Sequence, residues 1–284
     1  MRKQIEQGQR LLDALAELFP DSSRTTNRQL LRSGRVRVNG ASASDARQEL
    51  RKGDLIDVAP RAVQQNLSPE LNLLFEDEHL LVVVKASGLL TVATPTEKVE
   101  TAQAHLNAYM RSQRGERVHV VHRLDRACSG VMLFAKSFDI REMLKEQFAE
   151  HDIDRVYVAI IEGSMPAGSG TIRSFLVEEQ NYKVRSTESA TLGKLAVTHY
   201  RTVKSGPRYS MLEITLETGR KNQIRVHLSE AGHPILGDDA YGSKADPISR
   251  LALHARLLGF VHPVTGEKLQ FESPLPAPFQ SLSL

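Results

Sequence analysis

Residues 118–136 read Val-His-Val-Val-His-Arg-Leu-Asp-Arg-Ala-Cys-Ser-Gly-Val-Met-Leu-Phe-Ala-Lys, and this run restricts the fold more than any other stretch of the chain. Val118 to Val121 and Val131 to Ala135 are short apolar runs with the length and branching of buried strands. The turn between them carries Arg123, Asp125 and Arg126. A carboxylate between two guanidiniums at the end of a buried strand must be paired and hydrogen-bonded, because charges leave water only on those terms. On spacing alone, such a turn is either a structural Asp–Arg pair or a reactive site.

The length of 284 residues suits about two domains. No apolar run approaches the roughly 20 residues that cross a bilayer. The opening Met1-Arg-Lys-Gln-Ile-Glu6 leads into no apolar signal region, so a cytoplasmic protein without membrane contact is expected. A single cysteine, Cys128, excludes an intrachain disulfide and a Cys-rich zinc site. Its place beside Ser129-Gly130 suits a small packing residue. His119 and His122 fall at i and i+3 of an extended segment and project to opposite faces, and His227 and His233 add no metal-ligand spacing; no metal is expected.

Charge is unevenly spread. The whole formal excess of +3 lies within residues 1–60, and the remainder is formally neutral. Arg24, Arg28 and Arg32 recur at helical spacing along one face, Arg35 and Arg37 follow, and no acidic residue stands between Asp21 and Asp45. With no acid nearby in sequence to pair, this run reads as a polyanion footprint.

The same segment reads as a small α+β module. Leu11, Leu12, Leu15, Ala16 and Phe19 form a helical stripe ended by Pro20; Asp21, Ser22 or Ser23 caps a second helix that Gly34 stops. Val36-Arg-Val38 alternates into the hairpin dipeptide Asn39-Gly40, and Gly53-Asp54 turns into a strand ending at Val58. Residues 61–70 lack periodicity and read as a linker between a module at 1–60 and a larger domain at 71–284. In that larger domain, Leu73 to Phe75, Leu80 to Lys85, Arg155 to Ile161 and Tyr209 to Glu217 read as strands, and Phe138 to Phe148 as a helix. An α+β domain with a large, mixed but mostly antiparallel sheet is expected, its cleft carrying the Asp turn.

The motif His122-Arg-Leu-Asp-Arg-Ala-Cys-Ser-Gly130 resembles the catalytic motif of the RluA family of RNA pseudouridine synthases. Further blocks match in order: Lys85-Ala-Ser-Gly88, Arg155-Val-Tyr157, Leu216 to Leu228, Gly232-His-Pro-Ile-Leu-Gly-Asp238 with Tyr241-Gly242, Leu253-His-Ala255, and Phe260 to Pro263. The N-terminal segment resembles the S-four-type RNA-binding module through Arg10-Leu-Leu-Asp13, Ser23-Arg24, Leu31 to Gly34, Val36 to Gly40 and Gly53-Asp54.

The resemblance implies isomerisation of uridine to pseudouridine in structured RNA, ribosomal rather than transfer RNA, by a monomer without a cofactor. Asp125 is implied as nucleophile, held charged by Arg225, whose guanidinium would lower its pKa, with Tyr157 as the ring against the base. Ile224 would form a second wall, Arg123 would fill the gap left by the extruded base or hold its phosphate, and Arg126, Arg220 and Gln223 would complete the substrate contacts. Arg24, Arg28, Arg32, Arg35 and Arg37 are implied to bind RNA. Three positions depart from the family pattern: Ala86 stands for Pro, Asn222 for His, and Arg155 for the commoner Lys. The last two bear on substrate choice rather than on catalysis. Two other functions use similar parts: a catalytically silent RNA-binding or ribosome-assembly protein, and a glycosidase, which would need a second placed carboxylate.

Overall fold

A computed structural model describes residues 2–20, 22–32, 35–58, 65–113, 117–180 and 182–283. The chain forms two compact units, Met1–Val83 and Val84–Leu284.

The first unit opens with β1 (Arg2–Gln4), β2 (Gln9–Arg10), α1 (Leu11–Leu18) and α2 (Arg24–Arg32). Helix α1 stops two residues before Pro20. Ser23 caps α2, its Oγ accepting the Thr26 N–H at 3.0 Å. Asp21 and Gly34, the other expected boundary residues, lie outside the described residues. Strands β3 (Val36–Val38) and β4 (Ala41–Ser42) form the expected hairpin. Asn39 and Gly40 both take left-handed backbone, with φ of 52° and 83°, the requirement of a tight two-residue turn whose twist matches its strands. β5 (Glu49–Leu50) pairs with β2, and β6 (Leu55–Val58) lies between β1 and β3 in an antiparallel sheet of order β1-β6-β3-β4. Leu11, Leu15, Leu31, Val36 and Ile56, at most 1% exposed, meet in its core.

The expected linker at 61–70 is only partly visible. Residues 61–64 lie outside the described residues, and β7 (Gln65–Ser68) already pairs antiparallel with β8 (Leu71–Glu76). The unit division falls at Val83, inside β9 (Leu80–Lys85).

The second unit is the α+β domain with the large, mostly antiparallel sheet that the strand signals predict. Its elements are α3 (Ala102–Gln113), β10 (His119–Val120), β11 (Ser129–Ala135), α4 (Phe138–Ala149), β12 (Asp154–Glu162), β13 (Ser169–Glu178), β14 (Val184–Thr187), β15 (Lys194–Ser205), β16 (Tyr209–Leu216), α5 (Gln223–Glu230), β17 (Leu253–Val261), β18 (Lys268–Glu272) and α6 (Ala277–Ser281). Within this unit, neighbours run β14-β13-β15-β16-β12-β17-β11, with β10 on β11 and β18 on β17. Among these, β11 and β17 are parallel. All seven residues of β11 are buried, which is why this strand reads as an unbroken apolar run rather than an alternating one.

Two local features bring the turn that carries Asp125 beside Tyr157. Gly130 pairs with Ala255 of β17, and a Cβ on Gly130 would lie 2.1 Å from the Ala255 carbonyl oxygen. On the other side of β17, the pairing with β12 shifts between Val156 and Tyr157, skipping Arg256, so that Tyr157 also faces Ala255. Such a bulge bends the strand and re-aims its side chains. The end of the Asp turn and Tyr157 thus flank one residue of β17.

Gly130 has a φ of +128°, and the clash at this position is with backbone, which cannot rotate away. We expect Gly130→Ala to lower stability by at least about 2 kcal/mol, the scale of a strained backbone plus overpacking. For a domain of this size that corresponds to a melting temperature lower by several degrees, at roughly 2–4 °C per kcal/mol. A thermal melt followed by circular dichroism that shows an unchanged midpoint would contradict the close approach of β11 and β17.

Candidate active site

The turn between β10 and β11 is fixed from behind by the segment after β9. Lys85, fully buried, donates from Nζ to four carbonyls, those of Ala86 (2.9 Å), Leu89 (2.8 Å), Arg126 (3.2 Å) and Cys128 (2.6 Å). Thr91 Oγ1 donates to the Leu124 carbonyl and accepts the Leu124 N–H, and Ser87 Oγ donates to the Ala127 carbonyl. The Gly88 N–H reaches the Arg126 carbonyl at 2.8 Å. Burial pulls the Lys85 ammonium down to about 8, while the nearby Cys128 and Asp125 oppose that fall.

This clasp presents Asp125 to a cleft of about 630 Å³ lined by Arg123, Leu124, Asp125, Tyr157, Ile224 and Arg225, among others. Its volume lies within the range of small-ligand sites. Burial raises the Asp125 carboxyl above the ordinary aspartate value; Arg225 and Lys85 pull it back only in part, and Asp238 raises it further. The expectation that Arg225 holds this carboxyl low is therefore corrected: loss of hydration outweighs the guanidinium. Tyr157 is likewise pushed up by burial. Cys128 is buried, and burial pushes its thiol up to about 12, the surroundings of a packing residue rather than of an activated thiol. His122 is pushed down to about 3 by burial, stacks on Phe148, and accepts the Leu133 N–H at Nε2.

Arg225 also departs from expectation. Its fork does not grip Asp125. Nε and Nη2 donate to the two oxygens of Asp238 at 2.8 and 2.7 Å, and Nη1 lies 3.6 Å from Asp125 Oδ2. Nη1 is held by Asn222 Oδ1 at 3.1 Å, and the guanidinium lies 4.8 Å from the Tyr241 ring centroid. Tyr241 Oη in turn accepts from Asn222 Nδ2 and from the Val184 N–H. Burial lowers the Arg225 pKa, but the Asp238 hydrogen bonds and charge outweigh it, so the guanidinium stays firmly cationic.

Asp238 and Tyr241 are the residues that sequence reasoning placed in a motif without giving them a task. The signal was present: Gly237-Asp238 follows the apolar Ile235-Leu236, and a carboxylate 1% exposed needs a cation. Gly237 has a φ of +72°, and a Cβ there would lie 2.3 Å from the Arg250 carbonyl oxygen, so only glycine brings Asp238 into reach.

The remaining expected contacts divide. Arg123 is exposed and lines the cleft, and Ile224 is buried in its wall. Arg126 and Arg220 are exposed, each with Nε anchored to a carbonyl, of Gly88 and Leu195. Gln223 lines the cleft but is only 2% exposed, and its amide donates to Val197 O and Thr198 Oγ1 and accepts from Thr218 and the Arg220 N–H. In the first unit, Arg24 has an acid partner after all, Asp13 at 3.2 Å, supplied by α1 rather than by its own neighbours in sequence. Arg28 and Arg37 are exposed, and the Arg32 side chain lies outside the described residues.

The raised pKa of Asp125 makes a stability prediction. Its folded value lies above its unfolded one, so ionisation destabilises the folded state as pH rises through that window. Asp125→Asn removes this cost and leaves Arg225 paired with Asp238. We expect the variant to melt above the parent at pH 7, with the advantage fading as the pH falls through the raised value. A variant that melts lower at pH 7 would show Asp125 to be a net stabilising partner of Arg225.

The chain is similar to known proteins. The family described as RNA pseudouridylate synthase matches residues 79–230, and that described as S4 domain matches residues 9–56. Ribosomal large subunit pseudouridine synthase D of Vibrio cholerae is 34% identical over 301 residues, covering 99% of this chain and 92% of its own. RNA pseudouridine synthase YhcT of Bacillus subtilis is 40% identical over 218 residues, covering 75% and 71%. The solved structure of human RNA pseudouridylate synthase domain containing 4 superposes with a TM-score of 0.62 at 27% identity, covering 73% of this chain and 90% of its own.

Proposed function

Because the chain belongs to the RNA pseudouridylate synthase family, and so is an RNA pseudouridine synthase, an isomerase, we propose that Asp125 is its nucleophile and ribosomal RNA its substrate. The observation that carries the first part is the Asp125–Arg225 geometry: a cleft-facing carboxylate with one guanidinium nitrogen 3.6 Å away, in a cleft that Tyr157 also lines. In the reaction, the N1–C1′ bond of uridine breaks and a C5–C1′ bond forms; C5 loses a proton and N1 gains one. Atoms and electrons balance without an oxidant, and a carboxylate suffices as nucleophile. The loose contact with Arg225 leaves its oxygens accessible, since a strongly paired carboxylate would be a poorer nucleophile. Tyr157 and Ile224 sandwich the uracil that has left its stack, and Arg123 takes the vacated place or the phosphate.

Ribosomal RNA is favoured because relatives matching nearly the whole chain are named ribosomal large subunit pseudouridine synthase D. The N-terminal module adds exposed cations on a small scaffold. Against a glycosidase reading, Asp125 is the only carboxylate among the described residues lining the cleft, and Asp238 is buried and bound by Arg225 at both oxygens.

We expect Asp125→Asn to release no tritium above background from RNA labelled at uridine C5, while RNA binding persists. Near-parental release in a single-turnover assay would remove Asp125 from the nucleophile role. For the module, Arg28→Ala with Arg37→Ala is expected to make the dependence of log affinity on log salt shallower by roughly 0.7 to 0.9 for each phosphate that is no longer neutralised. An unchanged slope in filter-binding titrations would leave these arginines as solvated surface.

A further inference from the structure

Beyond the cleft, the conspicuous strained point is Tyr182, in the hairpin that joins β13 to β14. Its φ is +65°, a left-handed conformation that a bulky side chain seldom occupies without a functional reason, and its side chain is 75% exposed. An aromatic ring in strained backbone and facing water contributes little to a core. Its surroundings are cationic. Lys221 Nζ donates to the Tyr182 carbonyl at 3.1 Å and lies 5.5 Å from the ring centroid, and Lys221 itself lines the cleft. Lys183 sits 5.6 Å from the Tyr241 ring, and the Val184 N–H donates to Tyr241 Oη, so the root of the hairpin is tied to the group beneath Arg225. Both hairpin carboxylates are paired, Glu178 with Lys221 and Glu179 with Arg185, and an approaching phosphate meets no unbalanced negative charge there.

We propose that Tyr182 is a stacking platform for an unpaired base of the substrate RNA, adjoining the uridine that enters the cleft, with the net positive charge of the hairpin, Lys183, Arg185 and Lys221 against Glu178 and Glu179, facing that nucleotide's phosphate. A flat ring beside a cation is the arrangement by which single-stranded RNA is held: bases stack and phosphates pair. The inference rests on the Asp125 cleft being where uridine reacts.

The test uses the full chain and an in vitro transcript of large-subunit ribosomal RNA. The chain has no tryptophan, so Tyr182→Trp installs a single indole reporter. Its fluorescence is expected to be quenched at saturating transcript. Tyr182→Asn, which suits left-handed backbone, is expected to melt at or above the parent temperature yet raise KM about tenfold, as loss of one stacked base would, whereas Tyr182→Phe keeps the parent KM. An unquenched indole on bound RNA, or a KM for Tyr182→Asn within twofold of the parent, would overturn the proposal. The quench reads binding alone, so it decides this inference even if the transcript is not converted, an outcome that would instead count against ribosomal RNA as substrate.

Discussion

The Arg225–Asp238 pair is the contact on which the site depends. A guanidinium buried to 15% exposure needs a carboxylate at its fork, and Asp238 supplies both oxygens. Because that fork is already occupied, only Nη1 remains for Asp125, and it approaches no closer than 3.6 Å. Arg225 therefore acts on Asp125 as a nearby charge rather than as a chelating partner. A bidentate grip would have covered both carboxylate oxygens; the looser contact leaves 30% of the Asp125 side chain exposed, and burial outweighs Arg225 in setting its raised pKa.

The same economy governs the turn that carries Asp125. Most of its backbone oxygens are taken up by Lys85, Ser87 and Thr91. A lysine makes a compact cation that can gather several carbonyls at once, which the flat fork of arginine does less readily. Lys85 adds a buried cation close to Asp125, and the cleft lining is itself net positive, with Arg123, Arg126, Arg155, Arg220, Lys221 and Arg225 against Asp125. Ala86 in place of proline does not disturb this, since the turn is held by Lys85 and by Gly88, whose φ is +95°.

Much of this was legible in the sequence because it depends on local rules. The Asn39-Gly40 turn, the Ser23 cap, the buried strand at Val131 to Ala135 and the loop bearing Asp125 each follow from a few adjacent residues. What escaped depends on contacts across long separations. Asp125 lies 100 positions before Arg225, whereas Asp238 lies only 13 after it, and nothing in the spacing ranks one as the better partner. The sign of the Asp125 shift escaped for a related reason: it is set by how much water the fold removes, which no residue type declares. Arg24 and Asp13 illustrate the same limit, because two helices must pack before their side chains can meet.

The two departures at Asn222 and Arg155, read as bearing on substrate choice, prove to share a structural task. Asn222 takes a φ of +54° at the start of α5, a conformation asparagine tolerates better than most residues, and its amide links Arg225 Nη1 to Tyr241 Oη. Arg155 donates from Nη2 to the Leu216 and Glu217 carbonyls, fixing the end of β16 from which the chain runs to α5. Gly219 leaves room for that guanidinium, since a Cβ there would lie 2.8 Å from Arg155 Nη1. Both side chains therefore act on the entry to α5, one from the helix end and one from the strand end. The helix they orient carries Arg225, so a change at either position reaches Asp125 through the distance and angle of Nη1, even though neither side chain hydrogen-bonds to that carboxylate.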